Sequence, residues 1–167
     1  MKPLTLPLLV LFLSAYAFAA DSSSSNVKLD TTMAKPRAIE DLTRNALARD
    51  YGNAWLSLTD ASESGSPKPL DAYFVGSARK DLGDAVESQR NHGLQSRFLS
   101  QEHNLQAVFY APEGDVVELH DTAHCQVQIL DGNKVLDDRG VVLHFVVLMT
   151  PGADRWVIRQ LQAVPAF

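Results

Sequence analysis

The chain is poor in cysteine and in positive charge. It has one cysteine, Cys125, among 167 residues, so it forms no internal disulfide and no zinc site built from several cysteines. Its 15 Lys and Arg residues against 20 Asp and Glu residues give a formal net charge of −5. A net acidic chain lacks the basic surface that phosphates need, so we expect no nucleic-acid partner.

The sequence also lacks the short motifs that mark common catalytic centres. It contains no Gly-x-Ser-x-Gly and no His-Glu-x-x-His segment, and its glycines form no phosphate-binding loop. His120 and His124 have a spacing that suits metal binding on one face of a helix. The residues around them alternate as in a strand, where this spacing spans about 13 Å, too far for one shared ion. We therefore predict no metal site and no cofactor.

Long hydrophobic runs are absent except at the N-terminus. Lys2 precedes an uncharged stretch from Leu4 to Ala19, which ends in the small-x-small pattern Ala17-Phe18-Ala19. This arrangement predicts a signal peptide over residues 1–19, cleavage before Ala20, and export to a periplasm or to the medium. The stretch is shorter than the roughly 20 residues that cross a bilayer as a helix, although an uncleaved anchor is the alternative. Loss of Lys2 takes the net charge from −5 to −6, and we expect no membrane contact afterwards.

The rest of the chain divides into a polar leader and one domain. Residues 20–34 are Ser-rich and predict a flexible leader, and residues 35–167 are long enough for a single domain. From Pro36 onward apolar residues recur at spacings of three and four, which predicts a long amphipathic helix and then a loop over residues 60–69. Gly52 weakens this helix by up to ~1 kcal/mol, so we expect another segment to approach closely there. A second helix is predicted between Ser77 and Gly93.

After the second helix the hydrophobic period changes from 3.6 to 2. The alternation predicts a four-stranded antiparallel meander, with a hairpin turn at Asp131-Gly132-Asn133. The strands are long enough that they must bend or bulge. Helices followed by strands predict an α+β fold in which N-terminal helices pack on a curved sheet. A curved sheet leaves a concave space, which is the first place to look for a ligand.

Certain residues in this layout resemble the nuclear transport factor 2-like superfamily, the cone-shaped α+β fold of ketosteroid isomerases and SnoaL-like cyclases. The residues that carry the resemblance are Tyr51 and Ala54-Trp55, the Leu70-Asp71-Ala72-Tyr73-Phe74 segment, the strand pair around Asp131-Gly132-Asn133, and the closing Arg155-Trp156-Val157-Ile158. The stretch from Gly93 to Leu105 resembles the non-catalytic branch found at the ends of bacterial membrane proteins and in a plastid-division protein.

The resemblance implies a fold on which function varies widely. We cannot match a catalytic motif of the isomerases residue by residue, so we lean away from an enzyme. Our first hypothesis is an exported non-catalytic module that binds a small apolar ligand or a protein partner, through the cone-shaped cavity or the open sheet face. The alternatives are an isomerase or cyclase that uses a pocket carboxylate, and a structural homodimerisation domain.

Asp121 is the candidate catalytic carboxylate. By alternation it lies on the apolar face of its strand, where an unpaired carboxyl group would be costly to bury. A two-residue turn at Gly132-Asn133 would place His144 opposite Asp121 and form a carboxylate–imidazole pair. A longer turn or a bulge would instead turn His144 outward and leave Phe145 and its alternating neighbours on the core face. An isomerase or cyclase would also need a donor that polarises its substrate. The candidates for this donor are His144 and Tyr51.

Five aromatic side chains are candidates for a ligand-binding pocket mouth, although aromatics at helical spacing also form cores. They are Tyr51, Trp55, Tyr73, Phe74 and Tyr110.

Overall fold

The computed structural model describes residues 25–167, so the predicted signal peptide and the start of the predicted leader lie outside the described residues. Two α-helices, α1 (Asp41–Ser64) and α2 (Gly76–Asn91), flank a short 3-10 helix at Lys68–Ala72. The strands are β1 (Ser25–Asp30), β2 (Lys35–Pro36), β3 (Leu94–Tyr110), β4 (Val117–Asp131), β5 (Lys134–Pro151) and β6 (Trp156–Val164). The fold class is therefore α+β, as predicted.

The strands form one mostly antiparallel sheet in the order β1-β3-β4-β5-β6, and β2 also pairs with β3. Strands β3 to β6 form the predicted antiparallel meander, whereas β1 and β2 run parallel to β3. The register shifts twice between β3 and β4, once between β4 and β5, and once between β5 and β6. These shifts confirm the prediction that strands of this length bend or bulge.

The prediction of four strands is wrong because part of the predicted leader joins the sheet. Residues 25–30 form β1, in which Val27 and Leu29 are partly buried against the core and alternate with exposed polar residues. Two apolar residues at a spacing of two are enough to hold a short edge strand when a helix lies above them. The Ser-rich composition of residues 20–34 concealed this alternation.

Helix α1 is shifted relative to the prediction. Pro36 pairs in β2, and the helix begins at Asp41 and continues through residues predicted as a loop to Ser64. It ends at Gly65, which adopts the left-handed conformation with φ 62° and donates its N–H to the carbonyl of Ala61. A glycine in this conformation is a common helix terminator because it has no Cβ to clash.

The helices pack on one face of the sheet, here called the inner face. On β4 the inner face carries five buried side chains: Val117, Leu119, Asp121, Ala123 and Cys125. The residues between them lie on the outer face, where they are half-buried or exposed. The core therefore lies between the inner face and the helices α1 and α2.

Candidate functional site

Asp121 lies at the centre of a buried cluster between α1 and the sheet. Its Oδ2 accepts a hydrogen bond of 2.7 Å from the hydroxyl of Tyr51 on α1. The same oxygen lies 2.8 Å from Nδ1 of His103 on β3, so that nitrogen carries the proton when the two groups are hydrogen-bonded. The sequence argument that Asp121 needs a polar partner on the core face thus finds two partners, one of them the predicted Tyr51.

The cluster also contains polar atoms that have no protein partner. Among the described residues, Asp121 Oδ1, His103 Nε2 and Trp55 Nε1 are buried without a hydrogen bond. The Trp55 ring lies 4.5 Å from the His103 ring, centroid to centroid, and 6.4 Å from that of Tyr51. These groups form a polar centre within the core, the kind of place where ordered water is found in proteins.

Burial and charge together shift the titration of Tyr51. Loss of solvent raises the pKa of its hydroxyl well above the ordinary value, and the negative charge of Asp121 adds to the effect. The nearby indole of Trp55 acts in the opposite direction and is the smaller influence. Tyr51 therefore keeps its proton across the physiological pH range, donates a hydrogen bond to Asp121 and does not serve as a base.

The cluster is closed to solvent. Tyr51, His103 and Asp121 each have 0% of their surface exposed, and Trp55 has 2%. A substrate would have to displace packed side chains to reach the carboxyl group. As it stands, the arrangement holds a hydrogen-bonded carboxyl group within the core, and proton transfer to a bound molecule would require an opening.

The structure does not form the predicted pair of Asp121 with His144. The bulge at Ile129/Leu130 shifts the register, so Asp121 lies opposite Phe145 and His144 lies opposite Thr122. His144 is half-buried on the outer face, and its Nδ1 lies 3.2 Å from the Thr122 hydroxyl. The alternative register, in which a bulge turns His144 outward, is the one observed.

The five candidate ligand-binding aromatics do not form an open pocket mouth. Four of them belong to the hydrophobic core, with exposed fractions of 3% or less: Tyr51, Trp55, Phe74 and Tyr110. Tyr73 is half-buried and lies under the guanidinium of Arg155, whose central carbon is 5.1 Å from the ring centroid. Tyr51 and Trp55, at helical spacing on α1, fill the space between this helix and the sheet. The ligand-binding role of the five residues stays a prediction.

His120 and His124 lie on the outer face of β4. Within residues 25–167, no group of three or more potential metal ligands is found. His120 stacks on the ring of Phe167 at 4.2 Å between centroids, and its Nε2 lies 3.4 Å from a carboxylate oxygen of Glu118. His124 is exposed.

The outer face carries a groove with a volume of about 490 Å³ that crosses β1, β3, β4 and β5. One side of the groove is a row of residues that pair across neighbouring strands: Asn26, Glu102, His124 and Val142. The next outer row contains Ser100, Gln126 and Gly140, and the two small residues of this row deepen the groove. The groove is therefore lined by polar groups along most of its length and by valine at the β5 end.

Sequence reasoning missed His103 as a partner of Asp121. The alternation of Leu105 and Ala107 on β3 extends back to His103 and places it on the inner face. What the sequence does not show is the register between β3 and β4, which depends on two register shifts. The outer-face groove was also not predicted, because it depends on four strands lying side by side.

Comparisons with known proteins match the fold and give no family. No family model and no curated protein matches the sequence. Among solved structures, the chain is similar to the intermembrane space region of the chloroplast protein ARC6, with a TM-score of 0.56 and 13% sequence identity. The similarity covers 77% of this chain and 98% of the ARC6 chain. At this identity, what the two share is the fold. In residues 25–167, no helix is long and apolar enough to cross a membrane.

Proposed function

We propose that this chain is an exported, non-catalytic binding module that binds a protein partner through the outer face of its sheet. The observation that carries the proposal is the contrast between the two faces. The inner face is packed shut against α1 and α2, whereas the outer face is open and bears a groove of about 490 Å³. A rigid sheet with one covered face leaves the other face available for recognition.

Exposed apolar side chains support a binding role for the outer face. Val142 at the groove has 54% of its surface exposed, and Phe167, which stacks on His120, has 57% exposed. Apolar surface of this kind, bordered by polar groups such as His124 and Gln126, is typical of protein interaction sites. The mixed lining of the groove suits a polypeptide better than a purely apolar small molecule.

The remaining parts of the proposal are the nuclear transport factor 2-like fold and export. The fold assignment is supported by the motif residues named above and by the α+β architecture shared with ARC6. Export is supported by the signal-peptide pattern of residues 1–19, which lie outside the described residues.

A site-specific crosslinking experiment tests the outer face. Val142 is replaced by a photo-crosslinking phenylalanine analogue in the exported protein, and the matched control carries the analogue at Leu42 on α1, which is 85% exposed. We expect a discrete adduct between position 142 and a protein other than this chain, and none from position 42. Equal labelling from both positions would contradict the proposal.

A second variant links the adduct to the groove. A Cβ at Gly140 would meet only Gln126 Oε1 within 4 Å, at 3.5 Å, so a Cβ makes only ordinary contacts there. Gly140→Trp fills the groove and should abolish the adduct from position 142 while the thermal unfolding temperature stays the same. An adduct that persists in Gly140→Trp would place binding elsewhere.

An isomerase or cyclase remains the second candidate because one observation favours it. The Tyr51 hydroxyl lies 2.7 Å from Asp121, the arrangement of a carboxylate with a polarising donor. This function requires a small molecule to enter the closed cluster. Native mass spectrometry that finds a small molecule bound to the wild type and absent from Asp121→Asn would favour this candidate.

A further inference from the structure

One long edge of the sheet is uncovered. Strand β6 pairs with β5 only from His144 to Pro151, although β5 begins ten residues earlier, at Lys134. In the part of the chain that the structure describes, no strand pairs with the outer edge of β5 from Lys134 to Leu143. We call this stretch the free edge. Every second residue of the free edge directs its backbone N–H and C=O away from β4, and no strand among the described residues hydrogen-bonds to these groups.

The free edge is also rich in exposed apolar side chains. Val135, Leu136 and Val142 have 46%, 50% and 54% of their surfaces exposed. The register shift between β4 and β5 leaves Leu136 without a partner on β4, so the regular part of the free edge begins at Asp137. Uncovered edges accept other strands. Unpaired main-chain groups select an extended backbone as the occupant, and apolar neighbours stabilise the pair.

We propose that the free edge of one copy pairs antiparallel with the free edge of a second copy, around a two-fold axis perpendicular to the sheet. This geometry is the one in which identical strands pair antiparallel, and it makes the interface self-complementary. It also keeps the outer faces of both copies on the same side. The inference is independent of the proposed function, since it concerns the edge of the sheet and a second copy of the same chain.

The charges at the centre of the free edge select a register. Asp137 and Arg139 lie on the same face, with Arg139 Nε 3.0 Å from Asp137 Oδ2. Because the two-fold keeps faces together, allowed registers differ by steps of two residues. One register places Asp137 opposite the partner's Arg139 and Arg139 opposite the partner's Asp137. A step in either direction places Asp137 opposite the partner's Asp137, or Arg139 opposite the partner's Arg139. Only the first arrangement gives two opposite-charge pairs and no like-charge pair on that face.

The same register places Asp138 opposite the partner's Asp138 on the outer face. Asp138 accepts hydrogen bonds from the side-chain amides of Gln126 and Gln128, which offset part of the repulsion. Two carboxylates facing each other across the axis still weaken the pair. The register therefore predicts an unusual outcome: removal of the Asp138 charge strengthens association.

Pairing at the free edge has a consequence for the outer-face groove. The groove reaches β5 at Gly140, Val141 and Val142, within the free edge. In the paired state two grooves lie beside each other on one side of a continuous sheet. A partner with two binding segments would then gain from their proximity.

The test is sedimentation velocity of the exported mature protein over a concentration series up to about 1 mM, which detects dimers with dissociation constants up to about that value. We expect a reversible monomer–dimer equilibrium. Arg139→Asp places like charges opposite each other twice and should raise the dissociation constant by about tenfold or more. The matched control is Arg44→Asp, which makes the same charge change on α1, where Arg44 pairs only with exposed Asp41.

Two further variants make the register falsifiable. The double variant Asp137→Arg/Arg139→Asp should restore the wild-type dissociation constant, and Asp138→Asn should lower it. Circular dichroism checks that each variant is folded. A monomer at every concentration would overturn the proposal, and so would a dimer that Arg139→Asp and Asp138→Asn leave unchanged, because such a dimer uses another surface.

Discussion

Asp121 is buried completely and yet receives two hydrogen bonds through one oxygen, from Tyr51 and from His103. A carboxyl group in a core is stable only when such partners replace water. The cluster therefore depends on each of its three members. Side chains of the same type on the outer face, such as His144, have solvent as an alternative partner and carry less of the stability.

The two histidines on β3 and β5 provide a matched comparison. His103→Ala leaves Asp121 with one partner in the core and a void beside Trp55, and should reduce the free energy of unfolding by about 3 kcal/mol. His144→Ala removes a half-buried ring with one 3.2 Å contact and should cost less than about 1 kcal/mol. Urea unfolding at neutral pH measures both. Equal losses would show that His103 is not part of a stabilising cluster.

Tyr51 makes the free energy of unfolding depend on pH in the alkaline range. Its pKa is raised in the folded state, so its contribution is complete below the unfolded value near 10 and is lost as the pH rises above it. Tyr51→Phe should lose about 1–2 kcal/mol at neutral pH through the missing hydrogen bond to Asp121. The gap between wild type and variant should then narrow above about pH 10. Unfolding free energies measured from pH 7 to 11 test this, and a constant gap would contradict it.

At the residue scale the sequence predicted that Asp121 lies on the core face, but it did not predict which residues bond to it across the sheet. Alternation along β4 placed Asp121 on the core face, and burial required a polar partner there. The identity of that partner depends on registers set by bulges, at Ile129/Leu130 for His144 and within β3 for His103. A shift of one residue reverses every side chain, so a pairing read from turn length alone fails at a bulge.

The contact between α1 and β1 explains the glycine in the middle of the first helix. A Cβ at Gly52 would lie 3.3 Å from Val27 Cγ2 and 3.8 Å from Ser25 Oγ. The prediction that another segment approaches Gly52 closely is confirmed. The approaching segment is β1, whose Ser-rich surroundings predicted a flexible leader.

Two glycine substitutions test how tightly β1 is held. Gly83→Ala in α2 should stabilise the protein by up to about 1 kcal/mol, because its close neighbour is the mobile end of the Arg79 side chain. Gly52→Ala brings the same gain in helix propensity, but the added Cβ would crowd the Val27 side chain. The crowding offsets the gain, so this substitution should give little or no stabilisation. It should also speed amide exchange in residues 25–30. Equal stabilisation by the two substitutions, with unchanged exchange in β1, would show that β1 is loosely packed.

At the element scale the strong periodicities were reliable and the boundaries were not. The 3.6-residue period predicted α1 and the two-residue period predicted β3 to β6, because each pattern extends over many residues. The end of α1 was misplaced because Ser and Asp in residues 60–64 are common in loops, although here they continue the helix to Gly65. β1 and β2 were missed because short edge strands owe their pairing to the helix and strand beside them.

At the scale of the whole molecule, residues 25–167 form a sheet with one packed face and one open face, and this asymmetry underlies the proposed function. The proposed dimer rests instead on the free edge of β5. The inner face holds the Asp121 cluster in a packed core, the outer face holds the groove, and the free edge of β5 adjoins that groove. The fold is shared with ARC6 at 13% identity, which leaves partner and function to be decided by the surface of this chain.

The most direct test of the central claim is native mass spectrometry of residues 20–167, the mature form that the proposed signal cleavage would leave. If the interior is closed and binding uses the outer face, the spectrum contains only polypeptide masses, the monomer and its dimer. A reproducible small molecule bound at one per chain would contradict this account. Loss of that molecule in Asp121→Asn would place it at the cluster around Asp121, and loss in Gly140→Trp would place it in the outer-face groove.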